Sequence, residues 1–158
     1  MEKIKELIKS FYSEDGIQRA KARYEIVKIG KPAIEYLIGL QYSPKVWVRW
    51  EAIKTLSQIA DSESIPILIN ALENQDLDVR WLAAEGLIEI GKDSLKPVLA
   101  SLISSGNSKY LLEGAHHVLK GLQFKKIFSD DEGIIKKLEQ TNLRPGVVFA
   151  AKELLSKY

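Results

Sequence analysis

The chain has 158 residues, 46% of them hydrophobic, and no cysteine, which is enough to bury one core or one continuous stack and excludes disulfides, thiolate catalysis and zinc sites built on sulfur. Its net charge of +2 is unevenly spread: residues 1–45 hold nine Lys/Arg against six Asp/Glu, residues 46–105 five against nine, and residues 106–158 nine against six. An acidic middle argues against nucleic-acid binding, which gathers cations on one face for counterion release, and no apolar run is long enough to insert in a membrane.

The opening MEKIKELIKSFY alternates acid and base at helical spacing, unlike a secretory leader. It predicts a lone capping helix over residues 2–12 and a cytoplasmic chain. RAKARYEIVKIG predicts a helix over 17–29, ended by Gly30 as a C-terminal glycine, with a second helix over 32–42. In VRWEAIKTLSQIA, Val48, Ala52, Leu56 and Ile59 share one stripe, giving a helix over 46–60. ADSES breaks it, and Ile65, Leu68, Ile69 and Leu72 begin another over 64–74, with Pro66 near its start, where a missing N–H costs little. VRWLAAEGLIEIG nearly repeats this text from Val79, predicting helices over 77–91 and 94–105 with Gly91 and Pro97 in the same two roles. LLEGAHHVLKGL and VVFAAKELL add helices over 109–122 and 145–157, with one over 131–141 between them.

In register, Ala52, Leu56 and Ile59 match Ala83, Leu87 and Ile90 at a shift of thirty-one. Arg19, Ala22, Ile26, Ile29 and Gly30 match at thirty, Ala115, Leu119 and Leu122 match later, and Ala150, Ala151 and Leu154 close the series. A fixed period of this size signals stacked helical hairpins. DVRWLAAEGLIEIG followed by KPVLASLI resembles the short HEAT-like repeat of the phycobilisome lyases (PBS lyase HEAT-like). The resemblance implies an all-α, right-handed α-solenoid of four to five HEAT-like hairpins, an armadillo-like superhelix in one domain. Its parts are a cap (1–16), repeats over 17–45, 46–76 and 77–107, a degenerate repeat over 108–142 and a C-terminal capping helix over 143–158. The fourth repeat departs from the pattern, lacking the Val-Arg pair and inserting FKKIFSDDEG.

Arg19, Arg49 and Arg80 recur at equivalent positions. The resemblance implies that they align neighbouring units by bonding to inter-helix loops, with Ser43 and Asn74 where the family often has Asp; the other reading is a basic ladder for phosphate. On a helical wheel Trp47, Trp50 and Trp81 lie off the apolar stripe and predict a ridge, either exposed or closing the seams between units. Trp47 carries the strongest sign of exposure, because its counterpart is the polar Asp78, with packing in the seam the equal alternative. His116 and His117 point about 100° apart on a helix and are expected in packing or a Glu113–His117 contact, not on a metal. Glu14-Asp15 and Asp130-Asp131 precede helices, where acids favour the N-terminus.

Second helices present Glu35, Gly39 and Tyr42, then Asn70, Glu73 and Asn74, then Ser101, Ser104 and Ser105, then Lys137 and Gln140, a polar lane on the predicted concave face. No Gly-rich phosphate loop, HExxH or GxSxG occurs. The expectation is a non-enzymatic adaptor without cofactor, its partner another protein held by Trp47, Trp50, Trp81, Tyr42, Asn70, Glu73, Ser101 and Lys137. The alternatives are a bilin-lyase-like chromophore handler and a nucleic-acid-binding HEAT-like stack.

Overall fold

The computed structural model describes residues 1–104, 108–140 and 144–158. The expected repeat boundaries at 107/108 and 142/143, and Ser105, lie outside them. Helix α1 (Glu2–Lys9) continues as a 3₁₀ turn, Ser10–Tyr12. Asp15 accepts the Ile17 N–H and starts α2 (Gly16–Ile29), and Gly30 ends it at φ 71°, a left-handed backbone angle that costs glycine little.

The second helix of the first hairpin is broken into a 3₁₀ turn Lys31–Ala33, α3 (Ile34–Leu37) and a 3₁₀ turn Ile38–Tyr42. Pro32 and Gly39, both poor interior helix formers, flank α3. Then follow α4 (Val46–Ile59), a 3₁₀ turn Ser62–Ser64, α5 (Ile65–Ala71), α6 (Leu77–Ile90), α7 (Lys92–Ser104), α8 (Lys109–Phe124), α9 (Ile134–Glu139) and α10 (Arg144–Lys157). Pro97 does not sit near a helix start. Helix α7 begins at Lys92, with only Gly91 between it and α6, which leaves Pro97 inside.

First helices stack in order, α2 on α4, α4 on α6 and α6 on α8, while α5 packs on α7. Ala52, Ala83 and Ala115, the register alanines, are all fully buried. Close approach explains Gly86, where an added Cβ would stand 2.6 Å from Ser57 Oγ of α4. Ser57 in turn donates to Leu82 O at 2.7 Å across the seam.

The C-terminal end differs from the register. VVFAAKELL matches first helices, which predicts α10 stacked on α8. Its principal partners are instead α7 and α9, and α9 packs on α8. Helix α10 thus takes the berth beside α7 that a second helix would fill. Six-residue α9, about 9 Å long, is too short to cover thirteen-residue α7, whose Leu95, Val98, Leu99 and Leu102 are buried. Fourteen-residue α10 meets that need with Val147, Ala150, Ala151 and Leu154, while Phe149 points away and is 62% exposed. In the inserted turn Phe128 is buried, and Asp130 caps α9 by accepting the N–H groups of Ile134 and Ile135 at 2.7 and 3.2 Å.

Candidate functional site

The three register arginines turn back onto the loop before their own helices. Arg19 donates to Ser13 O and Glu14 O at 2.8 and 3.0 Å, Arg49 to Ser43 O at 2.6 Å, and Arg80 to Asn74 O and Gln75 O at 2.8 and 3.1 Å. Ser43 and Asn74 accept through their carbonyls, so the missing Asp side chains are not needed for these bonds. Arg49 is 7% exposed and also donates through Nε to Asp76 Oδ2 at 2.9 Å, tying the second unit to the loop that opens the third. Glu51, 3% exposed, takes Arg23 and, at 3.5 Å, Arg19 from the preceding helix. These guanidinium groups are occupied by the protein itself, which leaves little of a phosphate ladder.

The tryptophans do not form one exposed ridge. Of the two readings left open for Trp47, the covered one fits: it is half-buried, the Arg19 guanidinium and Lys45 Nζ lie 5.9 and 5.2 Å from its ring centroid, and its Nε1 is shut from solvent. The wheel placed it correctly off the α4 stripe, but the cation-bearing chains of α2 and the preceding loop fold over it. Trp50 packs against the core at the α2–α4 seam under Arg23, 5.3 Å from its centroid. Trp81 alone of the three is exposed, at 54%.

Trp81 lines a cleft of about 170 Å³ at the α6–α8 seam together with Leu77, Arg80, Tyr110, Glu113 and His117. Leu77 and Tyr110 are also exposed. The His117 ring stacks on Trp81 with centroids 4.3 Å apart, and the Arg80 guanidinium covers Tyr110 at 4.1 Å. The two histidines diverge as their spacing requires. His117 Nε2 meets Glu85 at 2.6 Å, not Glu113, because Glu85 faces it across the seam; His116 Nε2 meets Glu139 of α9 at 3.1 Å. Glu113 lies 3.6 Å from Lys109 on its own helix. Among the described residues no group of three or more His, Cys, Asp or Glu is placed to hold a metal ion.

The family model for HEAT repeats matches residues 34–120, more than half of the chain. The chain belongs to the HEAT-repeat family. Among solved structures it is similar to a chain of the complex of CpcE and CpcF of phycocyanin lyase from Nostoc sp. PCC7120, at 23% identity and a TM-score of 0.62, covering 93% of this chain and 96% of that one. Two engineered proteins, at 20% and 19% identity and TM-scores of 0.45 and 0.40, cover 99% and 96% of this chain and 79% and 47% of their own. No curated protein matches the chain.

In this HEAT-repeat protein the polar lane is only partly assembled. Asn70 Nδ2 donates to Tyr42 OH at 2.7 Å, joining successive hairpins on an exposed face that also carries Glu73. Ser101 does not reach the lane: it is 9% exposed and donates to Val98 O, on the helix against which α10 packs. Lys137 is half-buried and bonds to Glu132 O. No described helix is long and apolar enough to cross a membrane. Sequence reading missed Leu77 and Tyr110 as cleft residues and Glu85 as the partner of His117. The available signal was the column Trp47–Asp78–Tyr110, which puts a second aromatic at a ridge position where the third unit has an acid.

Proposed function

We propose that the chain is a non-enzymatic cytoplasmic adaptor that docks another protein at the α6–α8 seam. The observation that carries this reading is the joint exposure of Leu77, Trp81 and Tyr110 around one cleft. Exposed apolar groups gathered in one patch favour a covering surface, and tryptophan and tyrosine are over-represented among the residues that dominate interface energies. The neighbouring lane of Tyr42, Asn70 and Glu73 offers a second, polar contact on the solenoid, the kind of surface such stacks use for partners.

Affinity capture from the native host tests this with three full-length chains: unaltered, Trp81→Ala and Tyr24→Ala. A partner kept by the unaltered chain and Tyr24→Ala but reduced at least tenfold by Trp81→Ala supports the cleft. Equal recovery by all three overturns it.

The second reading is chromophore handling, favoured by the end-to-end fold likeness to a chain of the phycocyanin lyase complex. Titration with a free bilin separates the two: the adaptor reading expects an unchanged absorption spectrum, and a saturable spectral shift favours the lyase-like reading.

A further inference from the structure

We infer that the α6–α8 cleft takes a cationic side chain, arginine or lysine, presented by the protein partner; this deepens the docking reading above and rests on it. The molecule's own aromatic rings supply the first argument. Trp47 lies under Arg19 and Lys45, Trp50 under Arg23, Tyr24 under Lys28, and Tyr110 under Arg80, with cation-to-centroid distances of 4.1 to 5.9 Å. The face of an indole attracts a cation through its quadrupole. Among the described residues Trp81 is the one tryptophan without a Lys or Arg over its ring.

Register explains the gap. Trp50 and Trp81 are equivalent positions, and the cation over Trp50 is Arg23 of the preceding helix. At the shift of thirty that brings Arg19 onto Arg49, Arg23 falls on Ile53, a fully buried core residue that can cover no ring with charge. The repeat therefore keeps the acceptor and drops the donor.

The surrounding charge agrees. Asp78 and Glu85 lie three residues before and four after Trp81 on α6, on the same side of that helix. Glu113 lines the cleft from α8. The nearby basic groups are committed or screened: His117 stacks on part of Trp81 and is paired with Glu85, Arg80 is bound to the Asn74 and Gln75 carbonyls and to the Tyr110 face, and Lys109 meets Glu113 only at a largely exposed, solvent-screened 3.6 Å, so that Asp78 and Glu113 are the acids left for a ligand. An incoming guanidinium can thus lie on the solvent-exposed part of the Trp81 indole that the His117 ring leaves uncovered and pair with the Glu113 carboxylate, while its methylenes rest on Leu77.

The test titrates the isotope-labelled full chain with acetyl-Ala-Arg-Ala-amide and with the same peptide carrying citrulline, an uncharged isostere of arginine, reading the tryptophan indole N–H signals by NMR. The arginine peptide is expected to shift the Trp81 signal saturably in the millimolar range and leave those of Trp47 and Trp50 in place. The citrulline peptide is expected to bind at least tenfold more weakly. Trp81→Leu should abolish the saturable response, read on the backbone signals of α6, Glu113→Gln should weaken it about threefold, and Trp81→Tyr should retain it within about threefold, the last showing that loss in the leucine variant is not misfolding. A silent Trp81 signal, or arginine and citrulline curves within threefold of each other, overturns the inference. If the captured partner still depends on Trp81 in that case, only the cation falls and the docking reading stands; a partner indifferent to Trp81→Ala removes both.

Discussion

Arg49 and Arg80 occupy equivalent places, yet their surroundings make them unequal. Arg49 is buried and holds the Ser43 carbonyl in the loop before its own helix together with Asp76 in the loop before α6, whereas Arg80 has loop carbonyls and an aromatic face at the surface. Lysine cannot reproduce a planar fork that serves two partners at once. Arg49→Lys is expected to cost about 2 kcal/mol and Arg80→Lys about 1 kcal/mol or less, read as shifts of the urea midpoint at constant slope; equal losses would contradict the distinction. Trp47 marks the limit of wheel reasoning at this scale. Its counterpart Asp78 suggested that the position tolerates water, but Arg19 and Lys45 cover the indole. Trp47→Ala should lower stability by about 1–2 kcal/mol, while Trp81→Ala, removing a ring more than half in solvent, should change it by about 0.5 kcal/mol or less. Thermal melts of the two variants side by side check this ordering.

At the scale of elements, the C-terminal end was the part least legible beforehand. Ala150, Ala151 and Leu154 match first helices because every buried helix here needs small residues and leucines at the same spacing, so the pattern identifies a packed helix without saying against which layer. The short α9 decides it by leaving α7 uncovered. Removing residues 144–158 is therefore expected to speed hydrogen exchange in α7 and α9 most, with α2 and α4 unchanged, since solenoid units feel chiefly their neighbours. Faster exchange confined to α8 would restore the arrangement read from the register. The same short helix depends on its cap: Asp130→Ala removes acceptors for two backbone N–H groups and should cost about 1–2 kcal/mol, most visible as lost protection of residues 134–139.

Across the whole molecule, stacking of like units makes stability nearly additive along the axis. Leu119→Ala, at a fully buried register position of α8, should cost about 2–4 kcal/mol locally and open residues 109–139 well before α2 and α4 in native-state exchange; uniform loss across the chain would show a single cooperative unit instead. The text of the sequence by itself determined the α-solenoid and its period, the helix ends at Gly30 and Gly91, the divergence of His116 from His117 and the recurring arginines, because each depends on spacing along one helix or on a repeat that the chain states several times. Tertiary structure alone decided which tryptophan stays open, that Glu85 and not Glu113 meets His117, that Ser101 is covered, and that α10 lies on α7. Those outcomes depend on which neighbour reaches a given face, and side-chain reach and helix length across a seam leave no periodic trace in the residues being covered.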